Sequence, residues 1–307
     1  MLKKTSAYGV LLIIVILFIS IILVIVNPSK FKNEVLDHPQ LETPKKSDEI
    51  LDIDLHSSNA VLVNIDDNKI LLDKSSEEKI YPASLTKIMT VLVAIENISD
   101  SQEKTSLPKS IFTRLYGENA SMAGFLPNEE VKVEDLLYGS MLPSGAEASI
   151  GLANFVAGSE REFVKLMNEK AQQLGMEDTH FKNTTGLHHP DHYTSVKDIS
   201  ILLHYALTNK TFRAVYTAER HSISPTNLHP EGITFTNRMF KNISPDDLPN
   251  GEIIGGKTGY TEKAGLCLAS LAVINGQEYI LVTVGAKGNH YTEQYNITDA
   301  FSVYSSL

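Results

Sequence analysis

From Thr5 to Val26 the chain carries no charged residue, and Val10 to Val26 is almost wholly Val, Ile, Leu and Phe, with Ser20 the single polar interruption. Such a run reads as a membrane segment. As a helix from Ala7 to Val26, at ~1.5 Å per residue, it is about 30 Å long, the hydrocarbon thickness of a bilayer. Lys3 and Lys4 precede it and no acidic residue occurs before Glu34. The positive-inside tendency therefore leaves the N-terminus in the cytoplasm and exports everything after Asn27. A cleaved signal peptide is the competing reading. The run is longer than a typical signal h-region, and Val26-Asn27-Pro28-Ser29 offers no small-x-small cleavage site, so an uncleaved anchor is favoured. Pro28, Pro39, Pro44 and many charges follow without an apolar period, which predicts an extended tether. The expected organisation is a cytoplasmic tail over 1–9, a transmembrane anchor over 10–26, a linker over 27–55 and a folded body over 56–307.

The chain is 42% hydrophobic and 21% charged, which excludes disorder as the whole story. Its net charge is -10, and removing Lys3 and Lys4 leaves the exported part at -12. With no basic block interleaved with aromatics, that balance argues against a nucleic-acid partner. The single cysteine, Cys267, permits neither an intrachain disulfide nor a thiolate zinc site, and its apolar run Leu266-Cys267-Leu268-Ala269 predicts a buried thiol.

Within the body, Ala60 to Ile65, a polar turn at Asp66-Asp67-Asn68-Lys69, and Ile70 to Leu72 predict a β-hairpin. Ile88 to Ile95 supplies an apolar helix whose start is marked by Pro82 and a small-residue turn. The middle of the chain is helical. Ser159-Glu160-Arg161-Glu162 has the pattern of a capping box, with Phe163, Leu166, Met167, Ala171 and Leu174 at helical spacing before Gly175. Ser195-Val196-Lys197-Asp198 opens another helix, with Ile199, Leu202, Leu203 and Ala206 on one face. After Gly256 the pattern returns to strand: Leu266 to Ile274, an Asn275-Gly276 turn suited to a type I′ hairpin, and Tyr279 to Val284. Ile297, Ala300, Phe301 and Tyr304 mark a last helix that can lie on that sheet. Strands at both ends with helices between predict an α/β (α+β) fold. Both ends of the body complete one antiparallel sheet, flanked by helices and interrupted by an all-helical subdomain.

Ser-x-x-Lys occurs five times, beginning at Ser29, Ser76, Ser84, Ser101 and Ser106, so the pattern alone selects nothing. Context does. Only Ser84-Leu85-Thr86-Lys87 opens a strongly apolar helix, placing Ser84 at a helix N-terminus and Lys87 one turn on, on the same face. A hydroxyl needs a base to attack a carbonyl, and a lysine serves if burial or a neighbouring cation lowers its pKa from ~10.4. The same residues also fit an ordinary amphipathic helix start. Lys257-Thr258-Gly259 occurs once, after Gly255-Gly256 at the edge of the expected sheet, where it adds a second cation and room for a peptide to lie alongside a strand. Its plain alternative is a Gly-rich turn with a solvated lysine. Ser144-Gly145-Ala146 lies between helical stretches and can present the Ser144 hydroxyl to a cleft, but taken alone it reads better as the cap of a helix beginning near Glu147.

In this order and with these intervals, the segments over residues 56 to 307 resemble the serine-type D-alanyl-D-alanine carboxypeptidases. These are the low-molecular-mass penicillin-binding proteins, peptidase S11, of the β-lactamase-like superfamily. The likeness extends to Tyr81 through Thr90, to Val156-Ala157-Gly158-Ser159, and to Asn183-Thr184-Thr185-Gly186-Leu187 followed by His192-Tyr193-Thr194-Ser195. The resemblance implies the penicillin-recognising transpeptidase fold and removal of terminal D-Ala from peptidoglycan pentapeptide stems. It also implies covalent β-lactam binding, no cofactor or metal, and a place on the outside of a bacterial cell membrane. Carried over by position, it makes Ser84 the acylated nucleophile, Lys87 its general base and Ser144 a proton shuttle. Lys257 adds positive potential, Thr258 and Gly259 border the substrate's terminal carboxylate, and the backbone N–H groups of Ser84 and Tyr260 form the oxyanion hole. Ala146 departs from the family pattern, which has Asn there, and an alanine side chain cannot hydrogen-bond. A C-terminal β-rich domain and terminal helix found in many relatives are not part of this sequence, and the N-terminal span is expected to substitute for that anchor.

Three rival readings stand beside this one. His188-His189-Pro190-Asp191-His192 invites a zinc metallopeptidase reading, but no His-Glu-x-x-His helix appears. A β-lactamase shares the acylation machinery but needs a dedicated deacylating carboxylate. A membrane-tethered binding protein with little turnover draws support from Ala146 alone.

Overall fold

The strands at the two ends of the body are apolar at nearly every position rather than at alternate ones, and such strands must be covered on both faces. The computed structural model describes residues 41, 50–243, 248 and 250–307. The expected cytoplasmic tail and membrane segment lie outside the described residues, as does most of the linker. Among the described residues no helix is long and apolar enough to cross a membrane.

In chain order the elements are β1 (Asn59–Asn64), β2 (Lys69–Lys74), a 3-10 turn (Ala83–Leu85), α1 (Thr86–Asn97), β3 (Lys104–Ser106), α2 (Lys109–Gly117), β4 (Glu130–Lys132), α3 (Val133–Met141), α4 (Ala146–Ala157) and α5 (Glu160–Gln173). Then follow α6 (Val196–Leu207), α7 (Lys210–Thr217), β5 (Arg220–Ser222), β6 (Thr234–Thr236), a second 3-10 turn (Met239–Asn242), β7 (Gly251–Thr261), β8 (Gly265–Ile274), β9 (Gln277–Ala286) and α8 (Tyr295–Tyr304). The main sheet has the order β2-β1-β9-β8-β7 and is antiparallel throughout. Its N-terminal hairpin adds beside the C-terminal strand β9, which is the closure predicted from strands at both ends.

The period-2 alternation of strand side chains sorts the core into two layers. Val61, Val63, Cys267, Ala269, Leu271, Ile280 and Val282 face the helical layer, whereas Ala60, Leu62, Leu268, Ala272 and Leu281 face Ile297, Ala300 and Val303 of α8. Burial holds the Cys267 thiol protonated, its pKa pushed up to about 12. α1 is the central helix of the other layer, with Thr86 through Ala94 all buried. It is enclosed on every side from its first residue, as its apolar composition requires, and is exposed only at Glu96 and Asn97.

Helix starts follow local chemistry. Ser159 and Ser195 each accept the backbone N–H three residues on, from Glu162 and Asp198. Asp198 turns instead to Thr179 and the Asp178 N–H, and Glu162 to Lys165 and Arg161. Asn275 and Gly276 both have positive φ, as the type I′ turn demands. The packed region begins slightly before His56. Leu51 and Ile53 pack on the α8 layer, Leu55 is buried there, and Asp299 of α8 accepts the N–H groups of His56 and Ser57.

Candidate active site

Three-residue spacing at a helix start puts Lys87 over Ser84, and the structure brings Lys87 Nζ to 3.2 Å from Ser84 Oγ. Ser84 is half-buried in the 3-10 turn, whereas Lys87 is 1% exposed on α1. Nζ also donates to the Thr185 carbonyl at 2.6 Å. Burial lowers the Lys87 pKa to about 7, helped by the Arg238 charge and opposed by Glu147. An ammonium enclosed this way loses more solvation than it regains, so a neutral amine is available at neutral pH. That amine can take the Ser84 proton.

The Thr185 carbonyl is held in place by its own loop. Asn183 Oδ1 accepts the N–H groups of Thr185 at 3.1 Å and Gly186 at 2.8 Å, an Asx turn that fixes the next two residues. Gly186 has φ +81°, and a Cβ there would lie 1.8 Å from the Ala83 carbonyl oxygen. Glycine is required because the loop backbone presses directly on the turn that carries Ser84.

Ser144 follows α3 and precedes α4. It has φ +68° and is 2% exposed, and its Oγ has no hydrogen-bond partner among the described residues. A strained backbone and an unsatisfied buried hydroxyl at a cleft are the signature of a group kept for a ligand. The alternative reading of Ser144 as a helix cap is corrected here, because Gly145 is the N-cap of α4 and no side chain caps it. Ala146 is the first residue of that helix, buried, with its N–H donated to Ser121 O at 2.8 Å. Next to it, Glu147 Oε1 accepts the N–H groups of Ala123 at 2.7 Å and Gly124 at 2.9 Å, and burial raises its pKa.

Lys257, Thr258, Gly259 and Tyr260 all lie on β7, the edge strand, whose outer side is unpaired by other strands of the sheet. Lys257 is not the solvated lysine of a Gly-rich turn. It is 1% exposed, its Nζ donates to Thr258 O at 2.9 Å, and burial with the nearby charges of Lys87 and Arg238 depresses its pKa well below the usual lysine value. Gly259 lies where a Cβ would stand 3.1 Å from the Ser84 backbone nitrogen, so the strand and the turn that carries Ser84 are in close apposition.

A cleft opens at this junction in two lobes that share Ser84, Ser121, Tyr260 and His290. The smaller, about 360 Å³, takes in Ser144, Arg238, Lys241 and Thr258, and no carboxylate lines it among the described residues. The larger, about 590 Å³, takes in Lys87, Ala146, the Thr185–His188 segment and the end of β7. The arrangement supplies an activated hydroxyl, an edge strand to align an extended peptide, and positive potential for an anionic terminus. Arg238, whose Nη1 donates to Ser121 Oγ at 3.1 Å, is a site residue that the sequence reading missed. His290, edge-on to Tyr260 at 4.9 Å between ring centroids, is another. Nothing in their local pattern marks either, since both are delivered by the fold.

The histidine-rich segment does not converge on a point. His188 packs edge-on against Tyr81, His189 accepts the Asp191 N–H, and His192 is buried against Thr86, two residues after Ser84. No group of three or more metal-ligating side chains occurs among the described residues.

The family model for D-alanyl-D-alanine carboxypeptidase, peptidase S11, matches residues 43–288. The chain belongs to this family. D-alanyl-D-alanine carboxypeptidase DacF of Bacillus subtilis is 36% identical over 234 residues, covering 75% of this chain and 57% of the relative. DacD of Escherichia coli is 32% identical over 247 residues, covering 76% of this chain and 59% of the relative. The match thus spans somewhat over half the length of these relatives. Among solved structures, a point mutant of the Streptomyces K15 DD-transpeptidase superposes with a TM-score of 0.74 at 25% identity, covering 83% of this chain and 99% of that one. The S11 fold is therefore present with its sheet, its helical layer and the cleft between them.

Proposed function

We propose that this member of the S11 family is a membrane-anchored serine D-alanyl-D-alanine carboxypeptidase that removes the terminal D-Ala of peptidoglycan pentapeptide stems through an acyl-enzyme on Ser84. The observation that carries the reading is the contact between Ser84 Oγ and Lys87 Nζ, with that lysine buried and its pKa near 7. Lys87 takes the hydroxyl proton as Oγ attacks the penultimate D-Ala carbonyl. The N–H groups of Ser84 and Tyr260 receive the developing oxyanion, charge that exists only in the transition state. Ser144, with its unpartnered hydroxyl, passes a proton to the leaving amine. The free carboxylate of the departing D-Ala is held in the cationic lobe by Thr258 and Arg238, under the potential of Lys257. Water then hydrolyses the ester. β-Lactams enter by the same attack.

The test uses a pentapeptide stem ending in D-Ala-D-Ala, with released D-alanine measured in the presence and absence of penicillin and of a chelator. Activity lost with penicillin and kept with chelator is expected. Activity lost with chelator would select the metallopeptidase reading, and no activity in any condition the binding protein.

The anchor is supported by the uncharged run from Thr5 to Val26 behind Lys3 and Lys4. Protein recovered from membranes is expected to keep its first residues on N-terminal sequencing, and a start near Asn27 would show a cleaved signal instead.

Ala146 tests how the site works without an asparagine amide. The Thr185 carbonyl already takes a Lys87 N–H, so the site holds its base by another route. Ala146→Asn adds a polar group worth about 0.5 to 1.5 kcal/mol if paired, or costing about 1 to 3 if buried unpaired. It is expected to raise kcat/KM on the pentapeptide by no more than about tenfold. An amide oxygen beside Lys87 favours the ammonium, so the acid limb of the pH profile moves to higher pH. A hundredfold gain would mean that the natural protein is a crippled enzyme.

A further inference from the structure

Ser84 is preceded by a residue in an uncomfortable conformation. Ala83 has φ +45°, a region that L-residues with a Cβ avoid, and it is buried. Something must hold the turn there. Its carbonyl oxygen is pressed by the Gly186 backbone on one side and accepts the Thr86 hydroxyl at 2.8 Å on another. Thr86 Oγ1 lies 2.8 Å from His192 Nε2, and His192 Nδ1 accepts the backbone N–H of Lys182 at 3.2 Å.

These contacts have one self-consistent direction. A backbone N–H can only donate, so His192 Nδ1 carries no proton and the neutral ring bears its hydrogen on Nε2. Nε2–H then donates to Thr86 Oγ1, which leaves the threonine's own hydrogen free for the Ala83 carbonyl. Burial, reinforced by the neighbouring His180, His189 and His188 and by Lys87, lowers the His192 pKa to about 3. The ring therefore stays neutral where the enzyme works. His192 is 2% exposed and borders neither lobe of the cleft.

We propose that His192 is a positioning residue for the nucleophile: acting through the Thr86 hydroxyl, it holds the Ala83 carbonyl and so keeps the strained turn that aims Ser84 Oγ at Lys87. The 180–194 segment thereby serves the reaction at two points, with Thr185 on the base and His192 under the nucleophile. This inference rests on the assignment of Ser84 as the acylated residue.

The experiment compares the full-length chain with His192→Met, which keeps the bulk and loses the donor, His192→Gln, whose amide N–H can reach the place of Nε2, and Thr86→Val, an isostere without the hydroxyl. Each is acylated by penicillin, and the rate at saturation, the half-saturating concentration and the final fraction acylated are recorded separately. His192→Met and Thr86→Val are each expected to lower the saturating rate about tenfold, with half-saturation unchanged. The double variant is expected to be no slower than either single one, and His192→Gln to recover to within about threefold of the parent. A merely structural role would reduce the fraction acylated and leave the rate of the acylated fraction at the parent value, which overturns the proposal. Additive losses, or a Gln variant no better than Met, overturn it too. Nitrogen NMR of the ring gives an arm independent of β-lactam chemistry: a neutral Nε2–H tautomer persisting below pH 5 is expected. An Nδ1–H tautomer, or protonation near pH 6.5, overturns the proposal. If the parent protein takes up no penicillin at all, the Ser84 assignment fails, and the proposal, which needs that assignment, is overturned with it; a parent that is acylated normally beside variants of unchanged rate isolates the failure to His192.

Discussion

Ser84→Ala is expected to abolish covalent labelling by penicillin and to reduce D-alanine release below about one ten-thousandth of the parent, the scale seen when an acylated serine is removed. Ser76→Ala and Ser106→Ala are expected to leave both intact. All three serines begin a Ser-x-x-Lys pattern, so the contrast tests structure against motif. Ser76 is buried, with no partner for its hydroxyl among the described residues, and its lysine, Lys79, reaches outward to Asp178 at 3.7 Å. Ser106 is exposed on β3, with Lys109 at the start of α2 and equally exposed. Of these three, only Ser84 has its lysine folded back beneath it and buried. Intact mass and a peptide map after penicillin treatment check the result, and an adduct on any other serine would remove the foundation of the mechanism.

Lys87→Met should lower the acylation rate by about 10²- to 10⁴-fold, the usual worth of a positioned general base. The residual rate should also lose its dependence on pH near 7, because the group that titrates there is gone. Lys87→Arg should fare no better, since a guanidinium keeps its proton and cannot act as a base. Loss of fold is not the expected cause. Replacing a buried lysine by an apolar chain of similar length removes a desolvation cost, so the thermal midpoint of Lys87→Met should match or exceed that of the parent. Stopped-flow acylation with a chromogenic β-lactam, beside a thermal melt, separates the two effects.

How much of this was legible in the sequence depends on how local each cause is. The first hairpin, α1, the serine-capped α5 and α6, the Asn275-Gly276 turn and α8 are encoded by periodicity and by side chains that act within a few residues. The sequence places Lys257-Thr258-Gly259 at the sheet edge but marks no bounds for β7. Gly255, Gly256 and Gly259 give it little intrinsic β-propensity, and pairing with β8 along its length makes it a strand. The start of α4 is legible to within one residue, Ala146 against an expected Glu147, but its cap is not, because Gly145 caps it with no side chain to signal the position.

The site divides in the same way. Ser84 and Lys87 meet through helical spacing, which sequence shows. Family resemblance singles out Ser144 and Lys257, and the structure sets Ser144 in the wall of the smaller lobe and buries Lys257 on β7 next to Thr258, which lines that lobe. The Thr185 carbonyl, Arg238, His290 and the burial that tunes Lys87 arise from tertiary packing, and no local pattern announces them. His192 was legible as a residue but not as a role. Its neighbours suggested a metal site, whereas the fold turns it inward, under the nucleophile.

The central claim is that Ser84 is activated by a lysine whose pKa is lowered to about 7, so that a large share is the neutral amine at physiological pH. The pH dependence of the second-order rate of penicillin acylation, with the adduct mapped in each sample, tests it most directly. The account predicts labelling of the peptide containing Ser84-Leu85-Thr86-Lys87, rising with pH through a single limb centred near 7, the value to which burial and Arg238 bring Lys87. A limb near the ordinary lysine value of about 10.4, or a rate flat from pH 5 to 9, would contradict it.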